Sequence, residues 1–151
     1  MNNASRWWLM LGLRLVLGGI FLLAGLSKLG ATMQTLAAVY SYQIVLPDWV
    51  ANGIAVSLPW VELAIGAALI SGLGMPVVVP AAALVLGVFT VLTAQAWWRE
   101  LPIDCGCLDF GSLHPSLAVL STPGGATMRN LVLLGLVAVL AALRRQAQRS
   151  A

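Results

Sequence analysis

Chemistry in this chain of 151 residues concentrates at Cys105 and Cys107, which stand in the run Asp104-Cys105-Gly106-Cys107. Two residues of extended chain span at most about 6.6–7.2 Å, at or beyond the upper limit for bridged Cα atoms, so closing this pair requires a bend. Gly106 supplies the freedom for it. A bridge across one residue removes little unfolded-state entropy, which makes a purely stabilising crosslink unattractive. Strained, exposed disulfides are the labile kind, so the spacing points to a dithiol/disulfide pair that exchanges with a partner. Two readings compete: inert thiols or an inert crosslink, and metal binding. A zinc site needs four ligands, for which the loop offers Cys105, Cys107 and His114 with Asp104 or Asp109 as fillers, while two thiolates suit a soft ion such as Cu(I) with a methionine as a further ligand. The spacing matches no standard zinc pattern, and no metal is expected.

Three charges inside apolar runs form the second candidate set: Arg14, Lys28 and Glu62. An ionisable side chain in hydrocarbon is costly and marks a pathway, a pair or a ligand site. The depth of Glu62 depends on where its helix begins. A start at Ile54 puts it near the middle of the span. Capping by Ser57, with Pro59 in the first turn, moves it outward to the level of Lys28. The competing reading is a structural ion pair joining two helices.

The elements that must position these residues follow from composition. The chain is 60% hydrophobic and 9% charged, with mean hydropathy +0.95. A soluble domain carries roughly 25% charged and 45–50% apolar residues, so this surface cannot be covered for water. An all-α, polytopic membrane protein is expected: one domain over 1–151, a bundle of four transmembrane helices. The length excludes a multidomain enzyme, and the eight scattered basic residues suggest no nucleic-acid surface.

At about 20 apolar residues per crossing, the spans fall at about 7–29, 54–73, 77–98 and 127–143. The N-terminal span is longer than a signal h-region and carries charge, so it is expected to be retained. Gly72, Gly74 and Pro76 make a tight turn between the second and third spans. Met33, Leu36, Ala37 and Tyr40 recur at helical spacing, which predicts a short amphipathic interfacial helix. The outward loop 99–126 holds both cysteines, with prolines and glycines suited to irregular backbone outside the hydrocarbon. Glycines at 12, 18, 19, 25 and 66 suggest close helix packing.

Orientation follows from Lys and Arg near the span ends. Arg6, Arg14, Arg144, Arg145 and Arg149 share one side, against Lys28, Arg99 and Arg129 on the other. Five against three places both termini in the cytoplasm and the cysteine loop outside a bacterial inner membrane, in the periplasm, where disulfides persist.

With these residues in place, the sequence resembles the MauE family of methylamine-utilisation membrane proteins, within the DoxX-like superfamily. The likeness rests on three stretches and spans the chain to about Gly111. Arg14-Leu15-Val16-Leu17-Gly18 with Gly25-Leu26-Ser27-Lys28-Leu29 is similar to the family's first span. Pro59-Trp60-Val61-Glu62-Leu63 with Gly66 is similar to its glutamate motif, and Asp104-Cys105-Gly106-Cys107 to its cysteine-glycine-cysteine loop. Here Leu108 and Asp109 intervene before Phe110-Gly111, a departure from the family's pattern.

The resemblance implies formation or maintenance of disulfides in an exported client protein, alongside a thioredoxin-like periplasmic partner. Cys105 and Cys107 would be the catalytic pair. Arg14, Lys28 and Glu62 would form a polar site between the first two spans for a quinone, the cofactor that similar four-span proteins use. With a single cysteine pair, no internal disulfide relay is available. Two alternatives predict different behaviour: a non-enzymatic membrane assembly factor or anchor, and a Cu(I)-handling membrane protein.

Overall fold

Long runs of Leu, Val, Ala and Ile with few charges leave the backbone no solvent partner in hydrocarbon, and the α-helix satisfies every backbone group within its own segment. The computed structural model describes residues 3–101 and 122–149. Five helices run in order: α1 (Asn3–Lys28), α2 (Thr32–Ser41), α3 (Asp48–Ser71), α4 (Met75–Trp98) and α5 (Pro123–Arg149). All regular secondary structure among the described residues is helical. Four of the helices, all except α2, are long and apolar enough to cross a membrane.

The four long helices close into a ring. α1 packs on α3 and α5, α4 packs on α5 and α3, and the backbones of the two diagonal pairs stay apart. The α3–α4 turn is tight because Gly72 and Gly74 both adopt left-handed backbone, φ 78° and 59°. α2 lies against α3 and touches α1. It turns Thr35 inward and leaves Met33 and Tyr40, two members of its apolar stripe, exposed at 80% and 43%. That stripe faces away from the bundle, where an interfacial helix presents its apolar side to lipid.

α1 and α3 approach most closely, and glycine is the reason. A Cβ at Gly66 would stand 2.9 Å from the Gly18 carbonyl oxygen, and one at Gly25 2.9 Å from the Pro59 carbonyl oxygen. Gly12 and Gly19 meet nothing within 4 Å, so the packing role expected of the glycines belongs to Gly18, Gly25 and Gly66.

Two helices differ from the sequence expectation in length. α3 begins at Asp48 instead of Ile54, with Pro59 inside it. Ser57 donates its hydroxyl to the Gly53 carbonyl within the helix. The capping alternative at Ser57 is therefore corrected. α5 starts at Pro123, where Thr122 accepts a hydrogen bond from the Gly125 amide, and it continues to Arg149. The extension through Arg144, Gln146 and Ala147 uses good helix formers beyond the apolar run.

The core divides along its length. Near the chain termini it is apolar, built from Leu17, Leu69, Val79, Ala82, Val137 and Leu140. In the half towards the α4–α5 connection, every long helix buries a polar side chain: Lys28, Glu62, Thr93 and Asn130.

Candidate functional site

Lys28 is the last residue of α1, three residues beyond Gly25, where α1 lies close against Pro59 and Leu63 of α3. Glu62 stands on α3 roughly 21 Å along the axis from Asp48, at 1.5 Å per residue. The two meet bidentately, with Lys28 Nζ donating to Glu62 Oε1 at 2.7 Å and to Oε2 at 2.8 Å. Their side chains are 5% and 3% exposed. A buried charge pair needs close geometry of this kind to offset desolvation. Lys28 Nζ also lies 5.7 Å from the centroid of Phe89 on α4, within cation–π range.

The pair divides two cavities. On one side is a cavity of about 390 Å³ between α2, α3 and α4, with walls that include Ile54, Leu84 and Leu92, the Phe89 ring, Tyr42 and Lys28. Among the described residues, Lys28 is the only charged one lining it. On the other side Glu62 borders a cavity of about 40 Å³ shared with Arg129 and Asn130 of α5. Asn130 is 3% exposed, and its Nδ2 has no hydrogen-bond partner among the described residues. An unpaired buried amide costs about 1–3 kcal/mol, and this space is large enough for a bridging water to Glu62. Asn130 escaped the sequence reading. Its signal was present, since an amide in the fourth apolar span raises the same question as a charge there.

Arg14 does not join this site. Its guanidinium donates to the carbonyl oxygens of Leu69 and Ile70, both at 2.9 Å, and closes the C-terminus of α3 beside Gly72. These are orphan carbonyls at the negative end of a helix dipole, a place where a cation is stabilising. The expected trio therefore separates into a Lys28–Glu62 pair and an Arg14 cap near the opposite end of the bundle, because α1 and α3 run antiparallel.

Cys105 and Cys107, with Asp104, Asp109 and His114, lie outside the described residues. Their connection leaves α4 after Leu101 and re-enters at Thr122, at the end of the bundle where Lys28 and α2 lie. That end is tied together. Arg99 donates to Gln43 Oε1 at 2.8 Å, and Tyr40 donates its hydroxyl to Asp48 Oδ1 at 2.9 Å. The hydrogen bond to Asp48 raises the Tyr40 pKa above the usual phenol value, with desolvation and the Asp48 charge adding to it. Trp49 and Trp60 are exposed at 78% and 63%, which suits interfacial anchoring.

A family described as "Methylamine utilisation protein MauE" matches residues 6–143. The match extends through most of α5, well beyond Gly111. A curated relative, the methylamine utilization protein MauE of Paracoccus denitrificans, is 34% identical over 130 residues, covering 85% of this chain. The chain spans 66% of that relative's length. No solved structure matches the chain.

Proposed function

Because the chain belongs to the MauE family, we propose that it serves methylamine utilisation as a membrane thiol:disulfide redox protein, maturing the disulfides of an exported protein. The reading is carried by one juxtaposition. The only two cysteines of the chain lie in the connection that leaves the bundle at the end where a buried Lys–Glu pair borders an apolar cavity.

In the forward direction a client thiolate attacks the Cys105–Cys107 disulfide and forms a mixed disulfide. A second client thiolate then displaces it, leaving the client oxidised and Cys105 and Cys107 as thiols. A thioredoxin-like periplasmic protein is the proposed carrier between this pair and the client. The dithiol must then lose two electrons and two protons, and no second cysteine pair exists to receive them.

A quinone is the acceptor that the family resemblance implies, and the residues present fit one. The larger cavity lies within the range of ligand sites, about 300–1,000 Å³, with apolar walls and, among the described residues, a single cationic donor. Bound there, a quinone would supply a two-electron, two-proton acceptor. Lys28 would donate a hydrogen bond to a carbonyl oxygen in the cavity, and Glu62 would hold the lysine in place. The Lys28–Glu62 pair would also hold and pass protons between cavity and loop. Arg14 has no part in this.

The proposed orientation puts both termini in the cytoplasm and the cysteine connection in the periplasm of a bacterial inner membrane, on the five-to-three distribution of basic residues.

The test is to trap thiol states in cells with an alkylating mass tag. Expected are an oxidised Cys105–Cys107 pair that becomes reduced when quinone is depleted, and loss of client disulfides in Cys105→Ser/Cys107→Ser. Cysteines reduced under every condition, together with full client maturation in the double serine variant, would overturn the redox reading. A pair that cycles without regard to quinone would remove the quinone and leave exchange between proteins.

A further inference from the structure

The geometry points to a specific site for an anionic phospholipid at the terminal end of the bundle, in a groove between α4 and α5. Four arginines with described side chains gather at that end: Arg6, Arg14, Arg144 and Arg145. The described acidic residues, Asp48, Glu62 and Glu100, are all elsewhere. Two of the arginines are spent on backbone. Arg6 donates to the Leu143 carbonyl at 3.3 Å, and Arg14 closes α3. Arg144 and Arg145 have no hydrogen-bond or ion-pair partner among the described residues.

Both stand at the mouth of a groove of about 480 Å³. The groove exists because its facing positions are small or rigid: Pro80 and Ala83 on α4, Ala138 and Ala141 on α5. Small residues on both walls leave a slot that larger side chains would fill. Its α4 wall runs from Met75 to Ala83, roughly 12 Å along the helix. One end is thus cationic and the remainder apolar, the polarity of a phospholipid with its phosphate at the surface and an acyl chain below. Basic pockets between transmembrane helices recognise anionic headgroups in this way. Arg144 also borders a neighbouring cavity of about 300 Å³ with Arg14 and Trp7. A phosphate at Arg144 would therefore stand close to a third guanidinium.

The experiment is native mass spectrometry of the purified full chain, delipidated and titrated with dioleoyl phosphatidylglycerol or dioleoyl phosphatidylcholine. At about 1 kcal/mol per basic residue near an anionic group, two arginines give about 30-fold preference for phosphatidylglycerol. Arg144→Gln/Arg145→Gln should bring the two lipids to parity, and Arg145→Gln alone should lose about five-fold. Ala138→Trp keeps the charge and fills the groove, so it should lower retention of both lipids. Ala138 and Arg145 are exposed and Arg144 is partly exposed, and circular dichroism would show each variant folded. Equal retention by the unaltered chain, or a preference that survives the double substitution, would overturn the site. Unchanged retention in Ala138→Trp would overturn the groove. Glycerol 3-phosphate binding as tightly as the lipid would show a free-phosphate site and overturn the lipid assignment.

Discussion

Replacing Lys28 by Met removes one partner of a bidentate pair whose side chains are 5% and 3% exposed. Two charge-assisted hydrogen bonds, at 2.7 and 2.8 Å, are lost. At about 1.5–3 kcal/mol each they sum to about 3–6 kcal/mol, which agrees with about 3–5 kcal/mol for breaking a buried ion pair. Glu62→Leu should cost a similar amount, since it leaves Lys28 buried and charged beside Phe89. The double variant Lys28→Met/Glu62→Leu removes both charges and should return to within about 1 kcal/mol of the parent, since apolar replacements of similar volume are often neutral or better. The assay is reversible unfolding in mixed micelles by titration with sodium dodecyl sulfate, followed by circular dichroism. Single substitutions costing under about 1 kcal/mol would show that the pair is solvated. A double variant as unstable as the sum of the singles would show that the two residues are uncoupled. Either result would refute the reasoning. The double variant also separates structure from function: if folded and still fully active, it removes the pair from the proposed proton path.

Gly66→Leu should destabilise the bundle by about 2 kcal/mol or more in the same unfolding assay, because even a Cβ there meets the Gly18 carbonyl at 2.9 Å and the Leu22 amide nitrogen at 2.9 Å. Gly12→Leu, where a Cβ meets nothing within 4 Å, should not destabilise the bundle. Arg14→Gln should cost about 2–4 kcal/mol from two lost charge-assisted bonds to the α3 terminus, while leaving quinone-dependent thiol oxidation intact once refolded. Tyr40 should titrate above Tyr42-free reference phenol in a Tyr42→Phe background, followed by phenolate absorbance. Its folded pKa is raised, so the stabilisation is fully present below the ordinary phenol value and is lost only as pH rises through the higher folded value. Asp48→Asn should bring that titration down.

Length, composition and periodicity determine a good deal about this protein. Runs of apolar residues with so few charges admit only membrane-spanning helices, and low charge makes each ion within them conspicuous, so Lys28 and Glu62 were visible in sequence. Family motifs were visible as well, and the family match confirms that resemblance. Sequence also showed the single cysteine pair. Its limits came from one dimension: it placed Arg14 with Lys28 and Glu62 because all three lie on the first two spans. Only the antiparallel packing of α1 on α3 decided that Lys28 meets Glu62 while Arg14, roughly 21 Å further back along α1, meets the far end of α3. The helix starts behaved similarly. Apolar runs mark where hydrocarbon must be crossed, yet α3 and α5 continue past them into Asp48 and Arg149, where local propensity and capping set the ends. Cavities are purely tertiary properties. The groove between α4 and α5 and the chamber beside Phe89 depend on which residues the packed helices bring together, and a pattern along one chain carries no record of its neighbour's register.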